Sequence, residues 1–247
     1  MKRLALFSDV HGNLPALEAV LKDIARNGIA GGRSVYCLGD LIGYGPNPAG
    51  VVACVRAAGI RTVRGNYDDG VGNRRGQCGC YYASDRARED GAASYAFTDA
   101  ALDDDDHAWL GRLPSEIRFE VGDIRVLLAH GSPRKSNEYL LPDRPDAFLA
   151  KLADQAQADV VCIGHVHMPY HRTVTGADGR RIDYVSVPSV GKPKDGDWRA
   201  GWTELTIYLD GTIEAVVHRV EYDIEAVARD MVAAGLPTTL IDALQSA

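Results

Sequence analysis

Side chains that can bind metals or take part in catalysis are grouped in short polar motifs, most of which directly follow an apolar run. Two Asp, four His and one Asn in five of these motifs form a set that suits two divalent metal ions. Because the carboxyl ends of the strands in an open α/β sheet meet at one edge, we expect the motifs to converge there. The five motifs are Asp9-Val10-His11, Gly39-Asp40, Gly65-Asn66, His130-Gly131 and Gly164-His165-Val166-His167.

Each of these motifs has a simpler explanation when it is taken alone. A His at the end of a strand is more often capped or solvent-facing than bound to metal, and Gly-Asp or Gly-Asn pairs are common in turns. The coincidence of five such motifs after almost uncharged strands favours a metal centre. Carboxylate and imidazole ligands without cysteine indicate Mn²⁺, which we favour, or Fe²⁺, Co²⁺, Ni²⁺ or Zn²⁺.

The apolar runs also predict the elements that position the motifs. The first part of the chain predicts a β-α-β-α-β order, with strands at 4–8, 34–38 and 61–63 and helices at 13–27 and 48–58. This order implies parallel strands that are joined by right-handed crossovers.

The rest of the chain predicts antiparallel connections and outer helices. Polar, Ala-rich residues 81–113 are expected to form two helices without a motif, and hairpins are expected around Gly122-Asp123, Gly176-Ala177-Asp178-Gly179 and Leu209-Asp210-Gly211. A helix at 147–156, a buried strand at 159–163 and a closing helix at 224–233 complete the pattern. We expect two packed sheets in a single domain over residues 1–247.

Composition narrows the class of protein. A formal net charge of −7 over 247 residues makes general binding to a nucleic-acid backbone unexpected. No apolar run has the length of a membrane span or of a signal peptide, so we expect a cytoplasmic protein. Cys37, Cys54 and Cys162 are expected to be buried thiols, and structural thiols are favoured over a redox or soft-metal pair at Cys78 and Cys80.

The order of the motifs resembles the calcineurin-like metallophosphoesterase superfamily. The segments 9–13, 39–46 and 187–193 resemble its small prokaryotic branch of YfcE-like phosphodiesterases, and the resemblance extends from Arg3 to about Val220. The fold implied by this resemblance is α/β: a four-layer α-β-β-α sandwich of two packed mixed sheets flanked by helices.

The resemblance also implies the ligands and the activity. Asp9, His11 and His167 would hold one ion, Asn66, His130 and His165 would hold the other, and Asp40 would bridge the two. The implied function is that of a dinuclear phosphodiesterase or phosphatase, which hydrolyses a small phosphorylated substrate by attack of a metal-bound hydroxide. Two alternatives remain: a non-catalytic scaffold, as the same fold provides in the eukaryotic retromer, and a metal-dependent nuclease. A monomer and a homodimer are both compatible with the sequence.

One motif departs from the pattern of the superfamily. Many members have a His, a candidate general acid, at the position of Tyr67, with the following Asp, here Asp68, as its orienting partner. A phenol has a reference pKa of about 10 and is a poorly matched proton donor at neutral pH. Tyr67 is therefore interpreted either as a catalytic residue or as a wall of the pocket.

We predict catalytic roles for Asp40, Asn66, Tyr67 and Asp68, and substrate contacts for Asn13, Tyr44, Asn47, Arg134 and Lys192.

Overall fold

A computed structural model describes residues 1–29 and 33–246, which form two five-stranded sheets and the helices that cover them. The strands in chain order are β1 (Lys2–Phe7), β2 (Val35–Cys37), β3 (Arg61–Thr62), β4 (Glu116–Val121), β5 (Ile124–Ala129), β6 (Val160–Ile163), β7 (Tyr170–Thr175), β8 (Arg181–Ser186), β9 (Ala200–Ile207) and β10 (Ile213–Val220). The helices are α1 (Leu14–Arg26), α2 (Pro48–Ala57), α3 (Asn66–Gly72), α4 (Asp85–Ala100), α5 (Asp104–Gly111), α6 (Asp146–Ala156), α7 (Ile224–Ala233) and α8 (Thr238–Gln245).

Both sheets are mixed: the parallel strands of the first sheet extend to one of its edges, whereas those of the second lie between antiparallel edge strands. The first sheet has the order β10-β9-β1-β2-β3, in which β1, β2 and β3 are parallel. The second has the order β4-β5-β6-β8-β7, in which β5, β6 and β8 are parallel. The predicted parallel opening and the three predicted hairpins are confirmed.

The central strand β1 is buried on both of its faces, and its alternating side chains define the layers. Leu4 and Leu6 point towards the second sheet and pack in the core between the sheets. Ala5 and Phe7 point the other way, into the core beneath α1 and α2. Each buried Leu contributes about 1.5–3 kcal/mol through removal of its side chain from water.

Helix α6 covers the outer face of the second sheet. Its residues Leu149 and Leu152 pack with Val161 and Tyr184 of that sheet. The layer order is therefore helix, sheet, sheet and helix, as the resemblance implied. Among the described residues, every helix is too short or too polar to cross a bilayer.

Two helices were not predicted from the sequence. Helix α3 begins at Asn66, inside a motif that was interpreted as a loop, and the side chain of Asp68 accepts a hydrogen bond from the Gly65 N–H at the start of this helix. Helix α8 follows Pro237, so α7 is not the closing helix. Both helices pack close to the candidate site.

Candidate metal centre

Both sheets contribute side chains to one polar cluster. Asp9 and Asp40 follow β1 and β2 of the first sheet, whereas His130 and His165 follow β5 and β6 of the second. All seven predicted ligands are at most 4% exposed. Their potential ligand atoms form two groups, in each of which the atoms lie within 4.8 Å of one another. The groups are Asp9, His11 and His167, and Asp40, His130 and His165.

The first group is compact. The Nε2 atoms of His11 and His167 are 3.2 Å apart, and Asp9 Oδ1 lies 3.2 Å from His167 Nε2 and 3.8 Å from His11 Nε2. A single divalent ion placed among these three atoms would have two imidazole ligands and one carboxylate ligand.

The second group adjoins the first. His130 Nε2 lies 3.4 Å from Asp40 Oδ2 and 3.1 Å from Asn66 Oδ1, which places the predicted amide ligand here too. The same Nε2 atom is 4.0 Å from Asp9 Oδ1, so the two groups lie side by side. The geometry thus brings together all seven side chains that the sequence indicated.

Backbone carbonyl groups orient three of the four imidazole rings. Each of these carbonyls accepts a hydrogen bond from Nδ1, which directs Nε2 into the cluster, as in metal-ligating histidines generally. The bonds join His11 to Ile42 O at 3.1 Å, His130 to Leu38 O at 2.7 Å, and His167 to Lys192 O.

Five of the seven predicted ligands lie in an uncommon backbone conformation. Their φ angles are between +49° and +66°, the left-handed region that residues with a Cβ rarely occupy. Such residues cost about 1–3 kcal/mol each and persist where the surrounding structure fixes them, most often at functional sites. These residues are Asp9, His11, Asp40, His165 and His167.

Burial favours neutral imidazole at two positions of the cluster, whereas the neighbouring charges favour imidazolium at a third. Burial, together with a neighbouring His, lowers the pKa of His11 and of His165 to about 3. Burial acts in the same direction on His130, but the carboxylates of Asp40 and Asp9 outweigh it and raise the pKa of His130 to about 10.

Two atoms of the cluster show that it fits a cation. Asp9 Oδ1 and His165 Nε2 are buried, and neither has a hydrogen-bond partner among the described residues. Buried polar atoms without partners are destabilising, and a divalent ion would satisfy both. We conclude that the donor set fits two divalent ions bound by oxygen and nitrogen.

The carboxylate of Asp68 clamps two ligand loops together. It accepts hydrogen bonds from the backbone N–H groups of Asp40 at 2.8 Å, Leu41 at 3.0 Å and Gly65 at 2.9 Å. Burial and the charge of Asp40 raise the pKa of Asp68 to about 7, although the N–H donors favour the ionised form. Both oxygens are thus engaged by the backbone, and Asp68 positions ligands rather than orienting the side chain at position 67.

Tyr67 lies inside the protein beside the cluster. Its side chain is fully buried, and its hydroxyl group is 3.4 Å from Ser94 Oγ. Its ring meets that of His11 edge-on, with centroids 5.9 Å apart, and burial raises the pKa of the phenol. These contacts support the interpretation of Tyr67 as a wall of the pocket.

The five predicted substrate contacts fall into two groups. Asn13, Tyr44 and Lys192 line a narrow crevice that begins at His11, and apolar residues of α7 and α8 form its other side. The remaining two side chains are engaged elsewhere. The side-chain oxygen of Asn47 caps α2 through Gly50 N–H at 2.9 Å, and Arg134 forms an ion pair with Glu138.

Several neighbours of the cluster were missed in the sequence. The ring of Tyr139 lies 4.2 Å from that of His165, and no motif marked it. The sulfur atoms of Cys78 and Cys80 are in disulfide contact, which the sequence analysis did not favour.

Comparisons with known proteins agree with this geometry. A family model described as the calcineurin-like phosphoesterase superfamily domain matches residues 1–200. The chain therefore belongs to the calcineurin-like phosphoesterase superfamily, whose members are generally metal-dependent hydrolases, although some are non-catalytic.

Individual relatives extend the similarity to the whole chain. An uncharacterized protein of Methanocaldococcus jannaschii, MJ0912, is 30% identical, and the match covers 96% of this chain and 95% of the relative. The crystal structure of a metallophosphoesterase from Sphaerobacter thermophilus is 29% identical with a TM-score of 0.73, and the match covers 99% of this chain and 98% of that one. The hypothetical protein PH1004 from Pyrococcus horikoshii OT3 shares the fold, with 20% identity, a TM-score of 0.79 and the same two coverages.

Proposed function

We propose that this protein is a dinuclear metal-dependent phosphoesterase that hydrolyses a small phosphorylated substrate. One observation carries the proposal: the two ligand groups adjoin, because Asp9 of one lies 4.0 Å from His130 of the other. When bound, two divalent ions supply an activated water molecule and positive charge for the phosphate oxygens.

The roles of the ligands follow their grouping. We propose that Asp9, His11 and His167 hold one ion, and that Asn66, His130 and His165 hold the other. Asp40 is proposed as the bridging ligand. Its position is fixed by Tyr67, whose backbone N–H donates to Asp40 Oδ1 at 2.8 Å. Mn²⁺ is the proposed ion, since oxygen and imidazole ligands suit it and no thiolate takes part.

The surroundings of the site suggest how the substrate is held. Asn13, Tyr44 and Lys192 border the crevice beside His11, and we propose that they contact the substrate. Tyr67 is proposed to shape the pocket without transferring a proton. We also propose that residues 1–247 act as one domain. A cytoplasmic location is proposed because Cys37, Cys54 and Cys162 are free thiols, whereas the disulfide contact between Cys78 and Cys80 argues against it.

The two other candidate functions have less support. A non-catalytic scaffold needs none of the seven ligands, yet all seven converge. A nuclease is disfavoured by the net charge of −7, which would repel a nucleic-acid backbone. No specific observation favours either of them.

Hydrolysis and metal binding should be measured on the same samples. Wild-type protein with Mn²⁺ should bind two ions per chain in elemental analysis and should hydrolyse 4-nitrophenyl phosphate, bis(4-nitrophenyl) phosphate or both. Asp40→Ala should lose both tight metal binding and activity, whereas Asp143→Ala, at an exposed position, should keep both. An Asp40→Ala protein that still held two ions would contradict the bridging role of Asp40.

A further inference from the structure

The loop over residues 76–80 lies against the second ligand group and contains two cysteines, Cys78 and Cys80. The side-chain nitrogen of Asn66, a predicted ligand, donates to the carbonyl oxygen of Cys78 at 3.1 Å and to the sulfur of Cys80 at 3.2 Å. The side-chain oxygen of Asn66 lies 3.1 Å from His130 Nε2. Because a backbone carbonyl can only accept a hydrogen bond, the loop turns the amide so that its oxygen faces the ligand cluster.

The same loop is held by two neighbouring segments. The carbonyl oxygen of Gly79 accepts a hydrogen bond from the side chain of Asn137, in the loop after β5, at 3.1 Å. The loop also packs closely on α3, since a Cβ at Gly70 would come within 2.4 Å of the backbone oxygen of Gln77. Because the loop is held on both sides, a displacement of the cysteine sulfurs should change the hold on Asn66.

The two cysteines are placed to form and break a disulfide bond. Their sulfur atoms are in contact, and their Cα atoms are 5.4 Å apart, within the range that disulfides span. Cys78 is buried and Cys80 is partly exposed, and both line a cavity of about 240 Å³ that gives a small disulfide access to them. In a reducing compartment, such as the proposed cytoplasmic location, a disulfide is typically transient and redox-sensing.

We propose that Cys78 and Cys80 are a site of reversible oxidation, whose disulfide holds Asn66 in position for the second metal ion and whose reduction loosens this ligand. The inference rests on the proposed function and adds a control of its metal site. In the dithiol form the two sulfur atoms no longer remain at bonding distance, so at least one of them moves. Cys80 is the less buried of the two, and its displacement removes one of the two hydrogen bonds that orient Asn66.

The oxidation needs an external oxidant, for which a low-molecular-weight disulfide such as glutathione disulfide suffices. The sulfur of Cys80 attacks one sulfur of the small disulfide and forms a mixed disulfide, and the first small thiol leaves. The sulfur of Cys78 then attacks the sulfur of Cys80, and the second small thiol leaves. Two S–H bonds of the protein are broken and one S–S bond is formed, and the two small thiols take up the two electrons and the two protons.

Thiol counting tests whether the pair is oxidised reversibly. The protein would be equilibrated in glutathione buffers from reduced to oxidised, alkylated under denaturing conditions and weighed by mass spectrometry. Five cysteines should be alkylated after reduction and three after oxidation, with Cys78 and Cys80 as the unlabelled pair. Cys54→Ser, which removes a free cysteine on α2, should lower both counts by one. Five labelled cysteines in every buffer, or a pair that stays unlabelled in the reduced buffer, would overturn the proposal.

Metal affinity tests whether the state of the pair reaches the second ligand group. Mn²⁺ would be titrated calorimetrically into oxidised wild type and into wild type reduced with a phosphine, which needs no turnover. Loss of one hydrogen bond to Asn66 should raise the Kd of one of the two ions about threefold to tenfold on reduction. The same Kd values in both states would show that the disulfide does not control the site.

Variants locate the effect at the contact between Cys80 and Asn66. Cys54→Ser should keep the full difference in Kd between the two states, whereas Cys80→Ser, which cannot form the disulfide, should show none. Asn66→Asp keeps an oxygen ligand but has no N–H group to donate to the loop, so its difference should shrink below about twofold. A full difference in Cys80→Ser or in Asn66→Asp would contradict the proposed route.

The results with wild type also separate this proposal from the proposed function. If the Kd for Mn²⁺ depends on the redox state but neither 4-nitrophenyl phosphate nor bis(4-nitrophenyl) phosphate is hydrolysed in either state, the proposed activity alone fails. If an ester is hydrolysed and the Kd is the same in both states, the redox control alone fails. A protein that binds no Mn²⁺ in either state would refute both.

Discussion

At the scale of single residues, the proton on His130 should couple the proposed metal binding to pH. The pKa of His130 is raised to about 10 in the metal-free cluster, so the ring is charged at neutral pH, and it must lose its proton to bind an ion. The stabilising effect of this charge on the metal-free protein is complete below the unfolded pKa of about 6.5 and is lost as the pH rises through about 10.

Between pH 8 and pH 9, metal binding should therefore release about one proton per chain from His130, in addition to the proton lost by the activated water, with affinity rising by about tenfold or more per pH unit. Calorimetric titration of Mn²⁺ in two buffers with different ionisation enthalpies measures this release directly. His11 and His165, whose pKa values are lowered to about 3, should contribute none. Identical heats in the two buffers would show that His130 is already neutral in the metal-free protein.

A second prediction at this scale concerns Tyr67. Because its hydroxyl group faces Ser94 rather than the ligand atoms, Tyr67→Phe should lower kcat on a nitrophenyl ester by less than about threefold. Tyr67→His should not by itself supply an effective general acid, since both oxygens of Asp68 are engaged by backbone N–H groups. Rates on nitrophenyl and alkyl esters would be compared for both variants. A large loss with Phe would make Tyr67 a direct participant.

The convergence of the seven predicted ligands was predictable from the sequence, whereas several neighbouring contacts were not. The position of a ligand depends on where its strand ends, and apolar runs indicate that well. The direction of a long side chain depends on its nearest partner: Glu138 holds Arg134, and the start of α2 holds Asn47. Tyr139 reaches the cluster from a loop whose path depends on the whole fold.

At the scale of elements, the junction between β3 and α3 holds the proposed bridging ligand. Gly65 lies against Asp40, and a Cβ there would come within 2.1 Å of Asp40 Oδ1 and 2.2 Å of its backbone nitrogen. The φ angle of Gly65 is −77°, so the requirement for glycine is steric rather than conformational.

Gly65→Ala should therefore displace Asp40 and abolish tight metal binding, as measured by equilibrium dialysis with Mn²⁺. Gly59→Ala is a suitable control, because its Cβ would meet no atom within 4 Å while its φ of +61° makes the change mildly destabilising. The control should lose about 1 kcal/mol of stability and keep its metals. Full metal binding by Gly65→Ala would show that the loop adapts.

The junction also shows where element prediction failed. Most strands were identified because Gly and polar residues flank short apolar runs. The observed ends of these strands differ from the predicted ends by only a residue or two. Helix α3 contains Asn66, Gly70 and Gly72, which are typical of turns. It is stabilised by the Asp68 carboxylate, which accepts a hydrogen bond from the backbone N–H of Asp40 in another loop. Helix α8 has eight residues, too few for a clear helical period.

At the scale of the whole molecule, the proposed ions would join the two sheets. The first ligand group combines Asp9 and His11, after β1, with His167, after β6 of the other sheet. The second combines Asp40, after β2, with His130 and His165, which follow strands of the other sheet. Each ion would therefore cross-link the halves of the sandwich, beside the apolar core that already holds them together.

Chelation should consequently destabilise the entire fold rather than one loop. An ion present at about 100 times its Kd adds roughly 2.7 kcal/mol to the free energy of unfolding, provided that the unfolded chain does not bind it. For a chain of this size, each kcal/mol corresponds to about 2–4 °C in Tm, so removal of one ion should lower Tm by roughly 5–11 °C and removal of both by more. Differential scanning calorimetry with and without EDTA measures this shift in Tm, and the protein should unfold in a single transition under both conditions. Asp40→Ala should already unfold at the lower temperature and should not respond to EDTA. A wild-type Tm that is independent of EDTA would mean that the ions, if bound, do not hold the sheets together.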